Sequence, residues 1–195
     1  MKNKLSNNLL MIFVLLGTLS LFSASVYSEE LGVIDLARYP NLLKDFKECK
    51  LNLQYNVDQS SIVNPLGYQV HVDKNKVKLK DGYATLKIKG QFEGFAISVL
   101  RIPASKGHKV WEQYTVTLNG RVSEVLATLE QAWHVKFELR GPDDGPDVGD
   151  GPQITYATSV KRPASNVISR LFLDAYSEHD QRSVLQCDFL NNKGD

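Results

Sequence analysis

Val77-Lys78-Leu79-Lys80-Asp81-Gly82-Tyr83-Ala84-Thr85-Leu86-Lys87-Ile88-Lys89 alternates apolar and polar side chains on both sides of Asp81-Gly82. Asp-Gly between two alternating runs is the strongest short-range hairpin signal a sequence carries, because both central residues of a type I′ turn need positive φ. A two-residue turn there pairs Lys80 with Tyr83 and fixes the register. Leu79 then opposes Ala84 and Val77 opposes Leu86 on the core side. On the other side Lys78 opposes Thr85, Lys76 opposes Lys87 and Lys74 opposes Lys89. The register gathers Lys74, Lys76, Lys78, Lys80, Lys87 and Lys89 on one face. Directly opposed like charges cost a few tenths of a kcal/mol each. One reading of such a face is edge protection, since lysines discourage strand-to-strand aggregation. The other is a docking surface for an anionic partner.

Period-two patterns recur around this hairpin. Leu51, Leu53, Tyr55 and Val57 alternate with polar residues, as do Tyr68, Val70 and Val72. Phe95–Ile102, Trp111–Leu118, Ile154–Val160 and Ser183–Phe189 read as further strands, and Val135–Leu139 as a short one. Three stretches have helical spacing instead. Val122, Val125, Leu126, Leu129, Ala132 and Trp133 make Arg121–Trp133 an amphipathic helix. Pro163 opens a second such helix, with Val167, Ile168, Leu171, Phe172 and Ala175 as its stripe. A short helix is expected to start near Pro40, since proline is tolerated in a first turn. The resulting expectation is an α+β fold: one two-layer domain over residues 29–195, mostly antiparallel sheet covered by two amphipathic helices.

Residues 1–28 read as a secretory signal. Lys2 and Lys4 form the positive start, Leu9–Phe22 the apolar run, and Val26-Tyr27-Ser28 a small-residue cleavage site. The apolar run is about 14 residues, short of the roughly 20 that a spanning helix needs. Removing 28 of the 195 residues leaves 167, with 21 basic against 22 acidic side chains and a net charge of −1. A near-neutral chain argues against a nucleic-acid binder. The expectations are therefore a periplasmic or secreted protein with no membrane span once the signal is removed. Cys49 and Cys187 are the only cysteines. In an oxidising compartment an even count favours a disulfide, and neither has a nearby second thiol for a metal or redox motif.

Motifs for catalysis are missing. No Gly-x-Ser-x-Gly or His-Glu-x-x-His occurs. His71 and Asp73 lie two apart on a predicted strand and share a face, which admits a metal, although ordinary strands also carry polar residues on their outer face. Gly141–Pro152 contains four glycines, three prolines and the aspartates Asp143, Asp144, Asp147 and Asp150, and must be a loop. Carboxylates of this kind suit calcium, but Gly145 stands where an EF-hand needs its third ligand position filled, and no Glu closes the loop. A partner-contacting loop and a plain solvated loop are the competing readings.

No cofactor or metal is expected. The functional expectation is an exported, non-enzymatic binding protein, an inhibitor or immunity protein against an envelope-acting enzyme, which uses the lysine face or the acidic loop to contact a protein or an anionic envelope partner. The alternatives are an envelope hydrolase with dispersed catalytic residues and a passive envelope-associated protein.

Overall fold

The computed structural model describes residues 33–51, 53–63, 69–105, 111–140, 154–161 and 168–190. In chain order its strands are β1 (Val33–Asp35), β2 (Gln54–Asn56), β3 (Ser61–Val63), β4 (Gln69–His71), β5 (Lys78–Lys80), β6 (Tyr83–Lys89), β7 (Gln91–Phe92), β8 (Phe95–Pro103), β9 (Trp111–Asn119), β10 (Glu138–Leu139), β11 (Ile154–Lys161), β12 (Ile168–Ala175) and β13 (Arg182–Leu190). The α-helix α1 (Val122–Trp133) lies between β9 and β10.

Ten strands form one mixed sheet in the order β1-β6-β8-β9-β13-β12-β11-β10, with β5 also on β6 and β7 on β8. All of its pairings are antiparallel except β1 with β6. β2, β3 and β4 form a separate antiparallel sheet. A bridge from Tyr55 to Ala104 and a hydrogen bond from Ser105 N to the Tyr55 carbonyl (2.8 Å) attach it to the end of β8.

Alternation puts one rank of apolar side chains across the main sheet. Leu86, Leu100, Val116, Leu185 and Leu173 are successive cross-strand partners, and none is more than 1% exposed. Tyr114, Cys187 and Leu171 form a second rank. Each fully buried leucine contributes about 1.5–3 kcal/mol relative to exposure, so these ranks decide which face becomes the core. α1 covers part of this face with Val122, Val125 and Leu129. Leu42, Leu43, Phe46, Leu51 and Leu53, and Tyr55, Ile62 and Val70 of the small sheet, belong to the same core.

The expectation of a mostly antiparallel sheet covered by two amphipathic helices is corrected on two counts. The structure is mostly β, its large sheet is mixed, and among the described residues it has one α-helix. Ile168–Ala175, read as the heart of a second helix, is strand β12, held between β11 and β13. Leu171, Leu173 and Ala175 face the core, while Phe172 is buried on the opposite face. A strand buried on both faces loses its alternation, and Ile168, Leu171, Phe172 and Ala175 then mimic helical spacing. The helix expected near Pro40 is instead a chain of four-residue turns, each closed by a bond from an N–H to the carbonyl three residues earlier, ending in one 3₁₀ turn, Phe46–Glu48. Cys49 stops it in the left-handed conformation at φ +53°. Cys49 is disulfide-bonded to Cys187 of β13, across a sequence separation of 138. So short a segment cannot offset the cost of helix nucleation, and its buried Leu42, Leu43 and Phe46 pack well without one.

α1 is the helix the sequence predicts. Its C-cap, His134, is left-handed (φ +56°), and Glu130 accepts from Phe137 N and from Lys136 Nζ, each at 2.9 Å. Gly90 is required where β6 passes into β7. Its φ is +133°, and a Cβ there would stand 2.8 Å from Leu36 Cβ.

Candidate functional site

The Asp81-Gly82 hairpin is present in the predicted register. φ is +52° at Asp81 and +74° at Gly82, and the pairs are Lys80 with Tyr83, Leu79 with Ala84 and Lys78 with Thr85. The pairing ends there. Lys74–Lys76 is a 3₁₀ turn, capped by Asp73 accepting from Asn75 N at 2.9 Å. Its place beside the second half of β6 is taken by β1, whose Val33 and Asp35 pair with Lys87 and Lys89. The expected oppositions of Lys76 with Lys87 and of Lys74 with Lys89 therefore do not form. Lys89 instead makes an ion pair with Asp35 at 3.4 Å. The Asp35 carboxyl lies below its ordinary range, through the backbone N–H of Ala37 first and through Lys89. All six lysines are exposed. By alternation Lys78, Lys80, Lys87 and Lys89 share the face opposite the core.

That face continues across the whole sheet as a second kind of rank. Lys78, Thr85, Arg101, Thr115, Gln186, Phe172, Ala157 and Glu138 are successive partners on eight strands. Beside it run Lys87, Val99, Thr117, Val184, Asp174 and Thr155, and Gln113, Asp188, Arg170 and Ser159. Cations gather at the β5–β6–β8 end and carboxylates on β12 and β13. The Arg101 guanidinium lies 3.9 Å from the centre of the Tyr83 ring and donates to Gln113 at 3.3 Å.

Asp174 and Asp188 are the unusual groups on this face. Burial pushes the Asp188 carboxyl up to about 6, against hydrogen bonds from Gln186 and Gln113 and the charges of Arg170 and Arg101. Its Oδ1 is buried with no hydrogen-bond partner. Burial likewise raises Asp174 to about 6, with Thr155 opposing and the charge of Asp188 reinforcing the shift. Both can exchange a proton under mildly acidic conditions. The sequence reading missed both, along with Arg101, Gln113 and Arg170. The available signal was a carboxylate set between apolar neighbours, Leu173-Asp174-Ala175 and Cys187-Asp188-Phe189.

A hollow of about 260 Å³ lies beside the hairpin, lined by Val57, Ala104, Leu79, Tyr83 and the Asp81-Gly82 turn. Leu79, expected on the core side, is on the side of Ala84 but 53% exposed, on a strand that pairs only with β6 among the described residues. His71 is exposed on β4 and Asp73 is engaged in its cap. Among the described residues no group of three or more metal-ligating side chains comes together, and no helix is long and apolar enough to cross a membrane. Asp143, Asp144, Asp147 and Asp150 lie outside the described residues, as do residues 1–28, the expected signal. Comparisons with family models, curated proteins and solved structures find no match to this chain.

Proposed function

We propose that the protein is an exported binding protein without catalytic activity, an inhibitor or immunity protein, and that the lysine edge of its main sheet meets an acidic surface of an envelope-acting enzyme. The observation carrying this reading is the exposed array of Lys78, Lys80 and Lys87 on one face of a sheet edge, in a chain whose total charge is nearly balanced. Such an array steers an anionic partner at low salt, and its field decays over about 8 Å at physiological ionic strength. Export rests on the reading of residues 1–28. The test is binding of the purified mature chain to partners recovered from envelope extract, across a salt series. Lys78→Glu with Lys80→Glu and Lys87→Glu is expected to weaken binding at least tenfold and to flatten its salt dependence. Equal binding by the triple variant and the parent overturns the assignment of this edge. Capture of an anionic polymer in place of a protein overturns the inhibitor reading.

Asp188 favours a second reading, an envelope hydrolase, because a buried carboxyl shifted toward neutrality is a common general acid. Under it, Asp188→Asn abolishes a measurable hydrolysis of envelope material. Under the binding reading no such activity is there to lose.

A further inference from the structure

We propose that β5 is an acceptor edge, onto which an extended acidic segment of the partner adds as one more strand of the main sheet. This rests on the reading of the lysine edge as the binding surface and names the partner's chemistry.

The hairpin sets the direction of each backbone group on β5. With a two-residue turn, Lys80 and Tyr83 exchange both backbone hydrogen bonds, the next pair does not, and Lys78 with Thr85 does again. The N–H and C=O of Leu79, the middle residue, therefore point away from β6 and toward the open side of the hairpin. Among the described residues no other strand pairs with β5, and its three residues are all exposed. The side chains sort by face. Leu79 stands on the side of Ala84, beside the hollow formed with Val57 and Ala104. Lys78 and Lys80 stand on the other side with Thr85 and Tyr83.

A strand laid along β5 must place one residue opposite each of these three. Charge complementarity asks for a carboxylate opposite Lys78 and another opposite Lys80, and the residue between them meets Leu79 and the hollow. The segment recognised is thus acidic, apolar, acidic, in a strict period of two, held at its centre by two backbone hydrogen bonds to Leu79. The same residues exclude a second copy of the chain. Two β5 strands set antiparallel about Leu79 would oppose Lys78 to Lys80 twice, without compensation. The edge is closed to itself and open to an acidic strand.

The test uses two capped heptapeptides of one composition, the first alternating glutamate with valine and the second carrying its glutamates in a block. Each is titrated into the full mature chain, with binding followed by chemical shift and by exchange of the Leu79 amide. The alternating peptide is expected to bind at least tenfold tighter than the blocked one, and to slow Leu79 amide exchange at least tenfold at saturation. Leu79→Pro removes the outward N–H and no bond to β6, and is expected to abolish binding. Lys78→Gln with Lys80→Gln is expected to weaken it several-fold and to reduce its salt dependence. Should Leu79→Pro fail to fold, amide exchange in the parent chain decides the matter. Equal binding of the two peptides with Leu79 unprotected overturns strand addition and leaves charge-driven docking at the lysine edge intact. Failure of both peptides to bind also overturns strand addition, while the salt-dependent loss of partner in the Lys→Glu variants judges the broader reading separately.

Discussion

The two faces of the main sheet are built by the same strands, one residue out of phase, yet they do different physical work. On one face Leu86, Leu100, Val116, Leu185 and Leu173 are shut away from water. On the other, Thr85, Thr115, Gln186, Asp174 and Asp188 are half-buried among cations and amides. The core face uses area removed from water, a non-directional effect that tolerates few changes in volume. The polar face depends on pairing and solvation, so pH and salt act mainly there. Most of the apolar burial belongs to one side of the sheet, and the two carboxyls shifted toward 6 belong to the other.

The comparison is tested hardest by the disulfide, which ties Cys49 to the core face of β13. Replacing Cys49 and Cys187 with alanine opens a loop with a sequence separation of 138, and chain entropy for such a loop predicts a loss of up to about 4–5 kcal/mol. Urea unfolding at fixed pH measures it. A change below about 1 kcal/mol would mean that the apolar ranks hold the N-terminal segment unaided.

Leu185→Ala is expected to cost about 2–5 kcal/mol. Thr117→Ala, on the polar face of the neighbouring strand, is expected to stay within about 0.5 kcal/mol. Similar costs at the two sites, measured by the same denaturant series, would erase the division between the faces.

The carboxyls give a smaller and conditional effect. Asp174 and Asp188 have folded-state values near 6 against an ordinary 3.8, so the folded chain holds these protons more tightly than the unfolded one. Their stabilising contribution is complete below about pH 4 and is lost as pH rises through 6. The loss is about 1–2 kcal/mol per group, allowing for water on their exposed sides. Asp174→Asn with Asp188→Asn should flatten stability between pH 4 and 7, raising it at pH 7 and leaving it unchanged at pH 4. Thermal melts across that range check the sign. A variant less stable than the parent at pH 7 would show that the ionised carboxylates hold the face together.

Smallest is the lysine edge. Lys78→Gln with Lys80→Gln is expected to shift stability by less than about 0.5 kcal/mol in either direction. A loss of 2 kcal/mol in a thermal melt would make these lysines part of the scaffold and deprive the polar face of its free edge.

Much of the local structure was legible from residues close together in the chain. Asp81-Gly82 fixed the pairing of Lys78, Leu79 and Lys80, and the stripe from Val122 to Trp133 defined α1. The register failed beyond Lys78, where Asp73 caps a 3₁₀ turn and β1 arrives from more than 40 residues earlier to pair with Lys87 and Lys89. The second helix failed because β12 is buried on both faces. The six-lysine face was legible only in part. Lys78, Lys80, Lys87 and Lys89 share the polar face, whereas Lys74 and Lys76 sit in the turn.

By itself the sequence determined what depends on contacts a few residues apart: the turn with its two positive φ angles, the alternation of strands such as β5, β6 and β9, and the amphipathic stripe of one helix. Only the tertiary structure decided the order of strands in the large sheet, the parallel entry of β1, the meeting of Arg101, Gln113, Asp188 and Arg170, and the shift of two carboxyls toward 6. The reason is physical. Turn and periodic preferences act through local sterics and spacing, whereas desolvation of a carboxylate and the choice of a neighbouring strand depend on residues brought together from far along the chain, with no local energy to mark them.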